Sequence, residues 1–223
     1  MTTNAIMASD VAIGPLGLEG ALYRPQRPKG LIIFAHGSGS SRFSPRNKYV
    51  AARLVDGGFA CLLFDLLTAQ EAEDRRNVFD IPLLGARVKE AIDWAGESEL
   101  RSLQIGLFGA STGAAAALVA AADDEGGRVA AVVSRGGRPD LAGEALRRVK
   151  APTLLIVGGF DDEVIELNRD AQRLLQCKTR LDIVPGATHL FEEPGTLERV
   201  VERAADWFIE YVSRGGDQSA LGA

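Results

Sequence analysis

The sequence predicts an α/β fold in which a mostly parallel, twisted sheet carries helices on both faces and begins with an N-terminal antiparallel hairpin. Two observations lead to this prediction. Several short runs, among them GLIIFAH, FACLLFDL and PTLLIVGG, are apolar at almost every position, as strands covered on both faces are. Each run is followed by sequence of helical periodicity, which is the pattern of repeated strand–helix–strand units.

The hairpin comes first in the chain. The stretch AIMASDVAIGPLGLEGALYRP has short alternating runs that are interrupted by Gly14, Pro15 and Gly17, residues typical of a turn. We expect this hairpin to form an edge of the sheet. The buried strands then follow in the order GLIIFAH, FACLLFDL, LQIGLFG, VAAVVSRG, PTLLIVGG and TRLDIVPG.

The helices carry their own signals. Pro45 stands near the start of SPRNKYVAARLVDGG, and glycines stand at its end. Apolar residues recur at helical spacing in three further segments, with stripes at Ile81, Leu84, Val88 and Ile92, at Val164, Leu167, Ala171 and Leu174, and throughout TLERVVERAADWFIEYV. These stripes predict helices that cover the sheet.

Length and composition indicate one domain. The chain has 223 residues, of which 46% are hydrophobic and 25% charged, and we assign 1–223 to a single domain with a disordered tail at 215–223. The net charge of −5 argues against nucleic-acid binding. The sequence has neither a signal-peptide pattern nor an apolar run of about 20 residues, so we expect a cytoplasmic protein without a membrane partner. The oligomeric state cannot be inferred from the sequence.

One short motif points to chemistry. In GLFGASTGAAAALVAAA, Gly109, Ser111 and Gly113 form G-x-S-x-G directly between a predicted strand and a predicted helix. This is the context of a nucleophile elbow, in which small neighbours allow a sharp turn that exposes the serine hydroxyl. The following helix also directs its N-terminal N–H groups to the same place. The alternative is a serine that only caps the helix.

A serine nucleophile needs a base, and the chain has two histidines. His36 lies in FAHGSGSS, after the first parallel strand, and His189 lies in VPGATHLFEEPG, after the last strand. Because α/β-hydrolases place serine, acid and histidine in that order, His189 is the candidate base.

The acid should follow the strand PTLLIVGG, since the loops at the carboxyl ends of parallel strands converge. GGFDDEV offers Asp161, Asp162 and Glu163 there, and we favour Asp161 over Asp162 because it is the first carboxylate after the turn. Asp65 also follows a strand, but it precedes the serine and therefore breaks the order.

The motifs HGSGSS, GASTG, GGFDDEV and GATHLF, in this order, resemble the dienelactone hydrolase-like group of the α/β-hydrolase superfamily. The resemblance implies Ser111 as nucleophile, Asp161 as acid and His189 as base. It also implies an oxyanion hole from the backbone N–H groups of Ser38 and Thr112. In HG loops of this group the histidine braces the oxyanion loop, so the resemblance implies a structural role for His36; the alternative is a direct proton carrier. The chain differs from true dienelactone hydrolases in having serine where they use cysteine, which favours ordinary ester chemistry. Relatives of this kind also occur joined to phosphoribosyltransferase domains.

The expected function is therefore that of a serine hydrolase, carboxylesterase-like, that cleaves esters of small molecules through an acyl-enzyme intermediate. A thioesterase or a carbon–carbon bond hydrolase would use the same triad, and a noncatalytic binding protein on this fold stays open. No cofactor is expected. No metal is expected either, because two distant histidines without H-E-x-x-H supply too few ligands.

Substrate contacts are predicted from position alone. Four arginines follow predicted site loops or strand ends: Arg42, Arg46, Arg135 and Arg138. Arg135 and Arg42 are candidates for binding an anionic substrate group, and Phe160 for lining an acyl pocket; the alternatives are ion pairs with the protein's own acids and ordinary aromatic packing. No insertion large enough for a cap separates VAAVVSRG from PTLLIVGG, and residues 68–79 are either a lid or a solvated loop.

Overall fold

The computed structural model describes residues 6–213, so the predicted disordered tail at 215–223 lies outside the described residues. The strands are β1 (Met7–Ile13), β2 (Leu18–Arg24), β3 (Leu31–Ala35), β4 (Ala60–Phe64), β5 (Ile105–Ala110), β6 (Val129–Arg135), β7 (Thr153–Gly158) and β8 (Thr179–Val184). The helices are α1 (Pro45–Asp56), α2 (Ala69–Ala72), α3 (Arg75–Val78), α4 (Ile81–Glu97), α5 (Thr112–Ala122), α6 (Asp162–Leu174) and α7 (Thr196–Tyr211).

The eight strands form one sheet in the order β1-β2-β4-β3-β5-β6-β7-β8. β1 and β2 pair antiparallel, and β2 pairs antiparallel with β4, whereas β3 to β8 are all parallel to one another. The predicted fold class is confirmed, including the hairpin at one edge. Because β3 to β8 run in one direction, the loops that follow them meet along one edge of the sheet.

Two large apolar cores lie on opposite faces of the sheet, and a small third cluster joins β7 to α6 through Val157, Val164 and Ile165. α1 and α7 pack on one face through Val50, Leu54, Val200 and Phe208. α4 and α5 cover the other, where the predicted stripe of Ile81, Leu84, Val88 and Ile92 is buried. α5 is almost entirely buried and consists largely of alanine, because it packs between α4, the strands and the β6–β7 connection and has no room for larger side chains.

The β6–β7 connection differs from the repeated pattern. A 3-10 segment, Pro139–Arg148, stands where the other units have an α-helix. Gly143 inside it has φ of 53°, which interrupts the helical hydrogen-bond ladder, and Pro139 supplies no N–H group. Both features keep this segment from forming a continuous α-helix.

Candidate active site

The candidate elbow lies where β5 ends and α5 begins. Ser111, the single residue between them, has φ of 51° and ψ of −125°, a strained conformation for a residue with a side chain. A Cβ at Gly109 would lie 2.4 Å from the Cα of Ala114, and a Cβ at Gly113 would lie 2.2 Å from the carbonyl oxygen of Ala35. Only glycine at both positions lets the helix turn back this closely over the sheet.

Ser111 is fixed through its backbone and free in its side chain. Its N–H group donates to the carbonyl of Arg135 at 3.3 Å, and its carbonyl accepts from the N–H groups of Ala114 and Arg138 at 3.1 Å each. The hydroxyl makes no capping hydrogen bond to α5, so the helix-cap interpretation is wrong. The strained turn therefore presents the hydroxyl without using it for structure.

The candidate base and acid are in contact. Nδ1 of His189 lies 2.7 Å from Oδ2 of Asp161. Asp161 stands at the N-cap position of α6 but makes no side-chain cap bond, because its carboxylate is turned to the imidazole. Asp162 is the first residue of α6, next to its positive end. The structure thus brings His189 together with Asp161, the acid that was favoured from the sequence.

Two loops must approach closely for this contact. A Cβ at Gly158 would lie 2.5 Å from the carbonyl oxygens of both Ala187 and Thr188, so the end of β7 meets the His189 loop without a side chain between them. The N–H group of Phe160 also donates to the carbonyl of Ala187 at 2.9 Å. Backbone contact therefore sets the position of the acid loop against the histidine loop.

Glu193 anchors the His189 loop, and sequence reasoning missed it. Its carboxylate accepts from the Thr188 hydroxyl at 2.6 Å and from the Thr188 N–H group at 3.1 Å. These hydrogen bonds hold the pKa of Glu193 below its usual range. Phe191 has φ of 55° and is fully buried, which turns the chain sharply after the histidine. No local sequence pattern distinguishes Glu193 from the adjacent Glu192, so the sequence carried no signal for this role.

Ser111 and His189 line one cleft of about 280 Å³, whose other walls include Gly37, Ser38 and Arg135. Within residues 6–213, the side-chain hydrogen bonds include none between the Ser111 hydroxyl and the imidazole. Such bonds commonly tighten only when substrate is bound. What the arrangement supplies is a hydroxyl and a carboxylate-oriented imidazole that face the same space.

The two predicted oxyanion donors are adjacent but not equally free. Thr112 is the first residue of α5, where an N–H group has no acceptor inside the helix. The Ser38 N–H group instead donates to Oγ1 of Thr112 at 2.8 Å. Gly37 makes this approach possible, since a Cβ there would lie 3.0 Å from Cβ of Ser111. The Thr112 hydroxyl therefore fastens the loop of residues 37–38 to the elbow, a role that sequence reasoning did not assign.

His36 also holds that loop. Its Nε2 accepts from the N–H group of Leu66 at 3.1 Å, which leaves the proton on Nδ1, 3.0 Å from the carbonyl oxygen of Gly37. Burial lowers the pKa of His36, against weaker opposing effects from Gly37 and Asp65. The neutral imidazole thus connects the end of β4 to the loop beside Ser111, in agreement with the structural role expected for it.

The three predicted substrate residues have different surroundings. Arg135 is 6% exposed and lines the cleft. Arg42 does not line it, because its guanidinium pairs with Asp65 and Glu19 beside a neighbouring cavity. Phe160 is 71% exposed and is not among the residues that line the cleft. The structure therefore gives no support to Arg42 and Phe160 as substrate contacts.

The neighbouring cavity, of about 530 Å³, shares Gly37, Ser38 and Ser40 with the cleft. Residues 68–79, predicted as a lid or a loop, form α2 and α3 and cover this cavity rather than the cleft. Glu71 fixes the segment: its carboxylate caps the N–H group of Thr68 and pairs with Arg87 at 2.8 Å. Residues 68–79 thus form part of the wall of the second cavity and are anchored through Glu71.

Two further searches were confined to the described part of the chain. Residues 6–213 contain no group of three or more His, Cys, Asp or Glu side chains placed to hold a metal ion. Nor does any helix in that range combine the length and the apolar composition needed to cross a membrane.

Comparisons with known proteins bear on the family. The model of the dienelactone hydrolase family matches residues 18–212. A dienelactone hydrolase from Anabaena variabilis has 52% identity and a TM-score of 0.88, over 93% of this chain and 98% of the other. Est1E from Butyrivibrio proteoclasticus has a TM-score of 0.74 over 90% and 98% of the two chains at 17% identity, a likeness of fold alone.

A Mycobacterium tuberculosis protein, provisionally named a phosphoribosyl transferase, is 58% identical over 203 residues. The match covers 91% of this chain but 46% of that protein, so the chain spans about half the length of the curated relatives it matches.

Proposed function

This chain belongs to the dienelactone hydrolase family, and from that premise we propose that it is a serine hydrolase that cleaves carboxylic esters of small molecules through an acyl-enzyme. The family supports hydrolase activity in general. The observation that carries the finer proposal is the strained Ser111, whose hydroxyl has no structural use, on the same cleft as a histidine paired with Asp161.

In the proposed acylation step, the Ser111 oxygen attacks the ester carbonyl and His189 takes its proton. Asp161 accepts the Nδ1–H of the imidazole, so Nε2 carries the lone pair that serves as the base. The carboxylate also stabilises the imidazolium that forms. A serine hydroxyl keeps its proton at neutral pH and is then a weak nucleophile, so a base is needed for it to react.

The negative charge that develops on the carbonyl oxygen is proposed to be stabilised at the start of α5. The Thr112 N–H group and the positive end of the helix lie beside the attacking oxygen. The Ser38 N–H group is the second donor, held in place through Oγ1 of Thr112. In the proposed complex the Ser38 N–H group shares its hydrogen between that hydroxyl, which keeps the amide in position, and the oxyanion.

Deacylation repeats the same chemistry with water. His189 first gives its proton to the leaving alcohol and then takes one from a water molecule that attacks the acyl-enzyme. The acid product leaves and the Ser111 hydroxyl is restored. The relative named a phosphoribosyl transferase is about twice as long as this chain, and its name describes that longer protein. The cleft in this chain supports hydrolysis.

The test is hydrolysis of a set of p-nitrophenyl esters of different acyl length by four variants. We expect Ser111→Ala to lower kcat about 10⁶-fold and Asp161→Asn about 10⁴-fold. Ser9→Ala, an exposed serine on β1, and Asp162→Asn, the neighbouring carboxylate, are the matched controls and should keep wild-type rates.

Wild-type turnover by Ser111→Ala, or a larger loss from Asp162→Asn than from Asp161→Asn, would contradict the proposed roles. Thioesters and carbon–carbon substrates in the same assay test the other reactions that this triad could perform. A protein that turns over none of these substrates would favour the noncatalytic alternative.

A further inference from the structure

The charged side chains that line the cleft around Ser111 are arginines, although the chain as a whole carries a net charge of −5. Two arginines, Arg46 and Arg135, line it together with His189. Among the described residues that form its walls, none is Asp or Glu. The N-terminal turn of α1 adds a helix dipole of the same sign, since Ser44 and Asn47 also line this space.

Arg135 is buried, and no residue between 6 and 213 forms an ion pair with it. Its Nη2 donates to Oδ1 of Asn47 at 3.3 Å, and its guanidinium lies 6.0 Å from the ring centroid of Phe191. Its Nε is buried and has no hydrogen-bond partner among the described residues. Burial and the charge of Arg46 lower the pKa of Arg135 to about 10.

Such an arrangement opposes folding. A buried charge normally has an ionic partner, because removal from water is otherwise not compensated. Arg42 meets that expectation through Asp65 and Glu19. Arg46 pairs with Glu192 at 3.0 Å, at the exposed side of the cleft, and its own Nε is buried without a partner. Within the described part of the chain, Arg135 therefore lacks the counter-charge that the other two arginines have.

The backbone places Arg135 beside the nucleophile. Arg135 is the register partner of Ala110 on the adjacent strand, and its carbonyl accepts from the Ser111 N–H group. The loop that follows is locked by Asn168, which is fully buried and donates to the carbonyl of Gly137 at 3.0 Å. The guanidinium thus belongs to a rigid part of the site.

We infer that the cleft recognises an ester substrate that carries an anionic group, carboxylate or phosphate, a few bonds from the scissile carbonyl, with the buried guanidinium of Arg135 as its counter-charge. Carboxylate and phosphate oxygens both fit the donor fork of arginine. Arg46, at the outer side of the same cleft, supplies a second cation. This inference rests on the proposed function, because it takes the ester carbonyl to be at Ser111.

The kinetic test uses charged and neutral esters of matched length. One pair is the p-nitrophenyl monoester of succinate and its methyl-capped form; the other is a butyryl ester of glycerol 3-phosphate and the same ester of glycerol. We expect Arg135→Met to lower kcat/KM for at least one charged ester about 10- to 100-fold and to leave both neutral esters nearly unchanged. Arg169→Met, an exposed arginine on α6, is the control and should change neither.

Selective loss on the succinate ester identifies a carboxylate, and selective loss on the glycerol phosphate ester identifies a phosphate. Equal losses on charged and neutral esters would overturn the inference. Ser111-dependent turnover of the neutral esters would in that case leave the proposed function standing, so the two failures are distinguishable.

A second measurement does not depend on turnover. In the Ser111→Ala background, we expect inorganic phosphate or succinate to raise the Tm of the Arg135 protein and not that of Arg135→Met. Without anion, Arg135→Met should itself have the higher Tm, because methionine removes a buried unpaired charge. A lower Tm for Arg135→Met, together with equal anion shifts in both proteins, would mean a structural arginine and overturn the inference.

Discussion

Ser111→Gly should be more stable than Ser111→Ala. The strain at φ of 51° and ψ of −125° arises from the Cβ, which alanine keeps and glycine lacks. Strain of this kind is worth about 1–3 kcal/mol, and the greater freedom of glycine in the unfolded chain offsets about 0.5–1 kcal/mol of it. The hydroxyl caps nothing, so its loss is the same in both variants. The net advantage of glycine is about 1 kcal/mol, or about 2–4 °C in Tm for a chain of this size.

The assay is thermal or urea unfolding of the two purified variants, both of which lack the nucleophile. Ala52→Gly, at an exposed position of α1, is the control and should lose about 0.5–1 kcal/mol because no strain is relieved there. Glycine in place of alanine is thus expected to raise the stability at position 111 and to lower it at position 52. If Ser111→Gly were less stable than Ser111→Ala, the elbow would not be strained and the reasoning about its geometry would be refuted.

Three other predictions concern the loops around the cleft. Thr112→Val should lower kcat about 10-fold by releasing the Ser38 amide, with Thr112→Ser retaining activity; equal kcat values for all three proteins would contradict this. Because burial lowers the pKa of His36, the unfolded chain takes up a proton that the folded chain does not, and the free energy of unfolding should fall by up to about 1.4 kcal/mol per pH unit below about pH 6.5. Urea unfolding between pH 7 and 5 measures this slope, and the slope should be smaller in His36→Gln. An unchanged slope in that variant would mean that another group is responsible. Gly158→Ala should separate the acid loop from the His189 loop and lower kcat while a folded far-ultraviolet spectrum persists; unchanged kcat would show that the backbone contact is not needed.

Much of the fold and part of the candidate site follow from local sequence. Strands buried on both faces need continuous apolar runs, and an elbow needs glycines around its serine, so β5, α5 and Ser111 could be placed without coordinates. Chain order then selected His189. The β6–β7 connection was harder, because its apolar spacing suits a helix while Gly143 and its backbone conformation give a 3-10 segment.

Side-chain partners were beyond sequence reasoning. Arg42 and Arg135 both follow a predicted strand or site loop. The partners of Arg42 come from segments distant in the chain, whereas Arg135 contacts no carboxylate among residues 6–213. The sequence around Arg42 and Arg135 does not show which of the two has a carboxylate partner. The hydrogen bond from Ser38 to Thr112 joins residues 74 positions apart and was missed for the same reason. Long-range contacts decide which polar groups are left free for a ligand.

The central claim is that the hydroxyl of Ser111, activated by His189, is the nucleophile of this chain. The most direct measurement is peptide mass mapping after reaction with a fluorophosphonate probe. The triad predicts one modified peptide with the label on Ser111, strongly reduced labelling in His189→Ala and none in Ser111→Ala. Full labelling of Ser111→Ala at another residue, or undiminished labelling of Ser111 in His189→Ala, would contradict the claim.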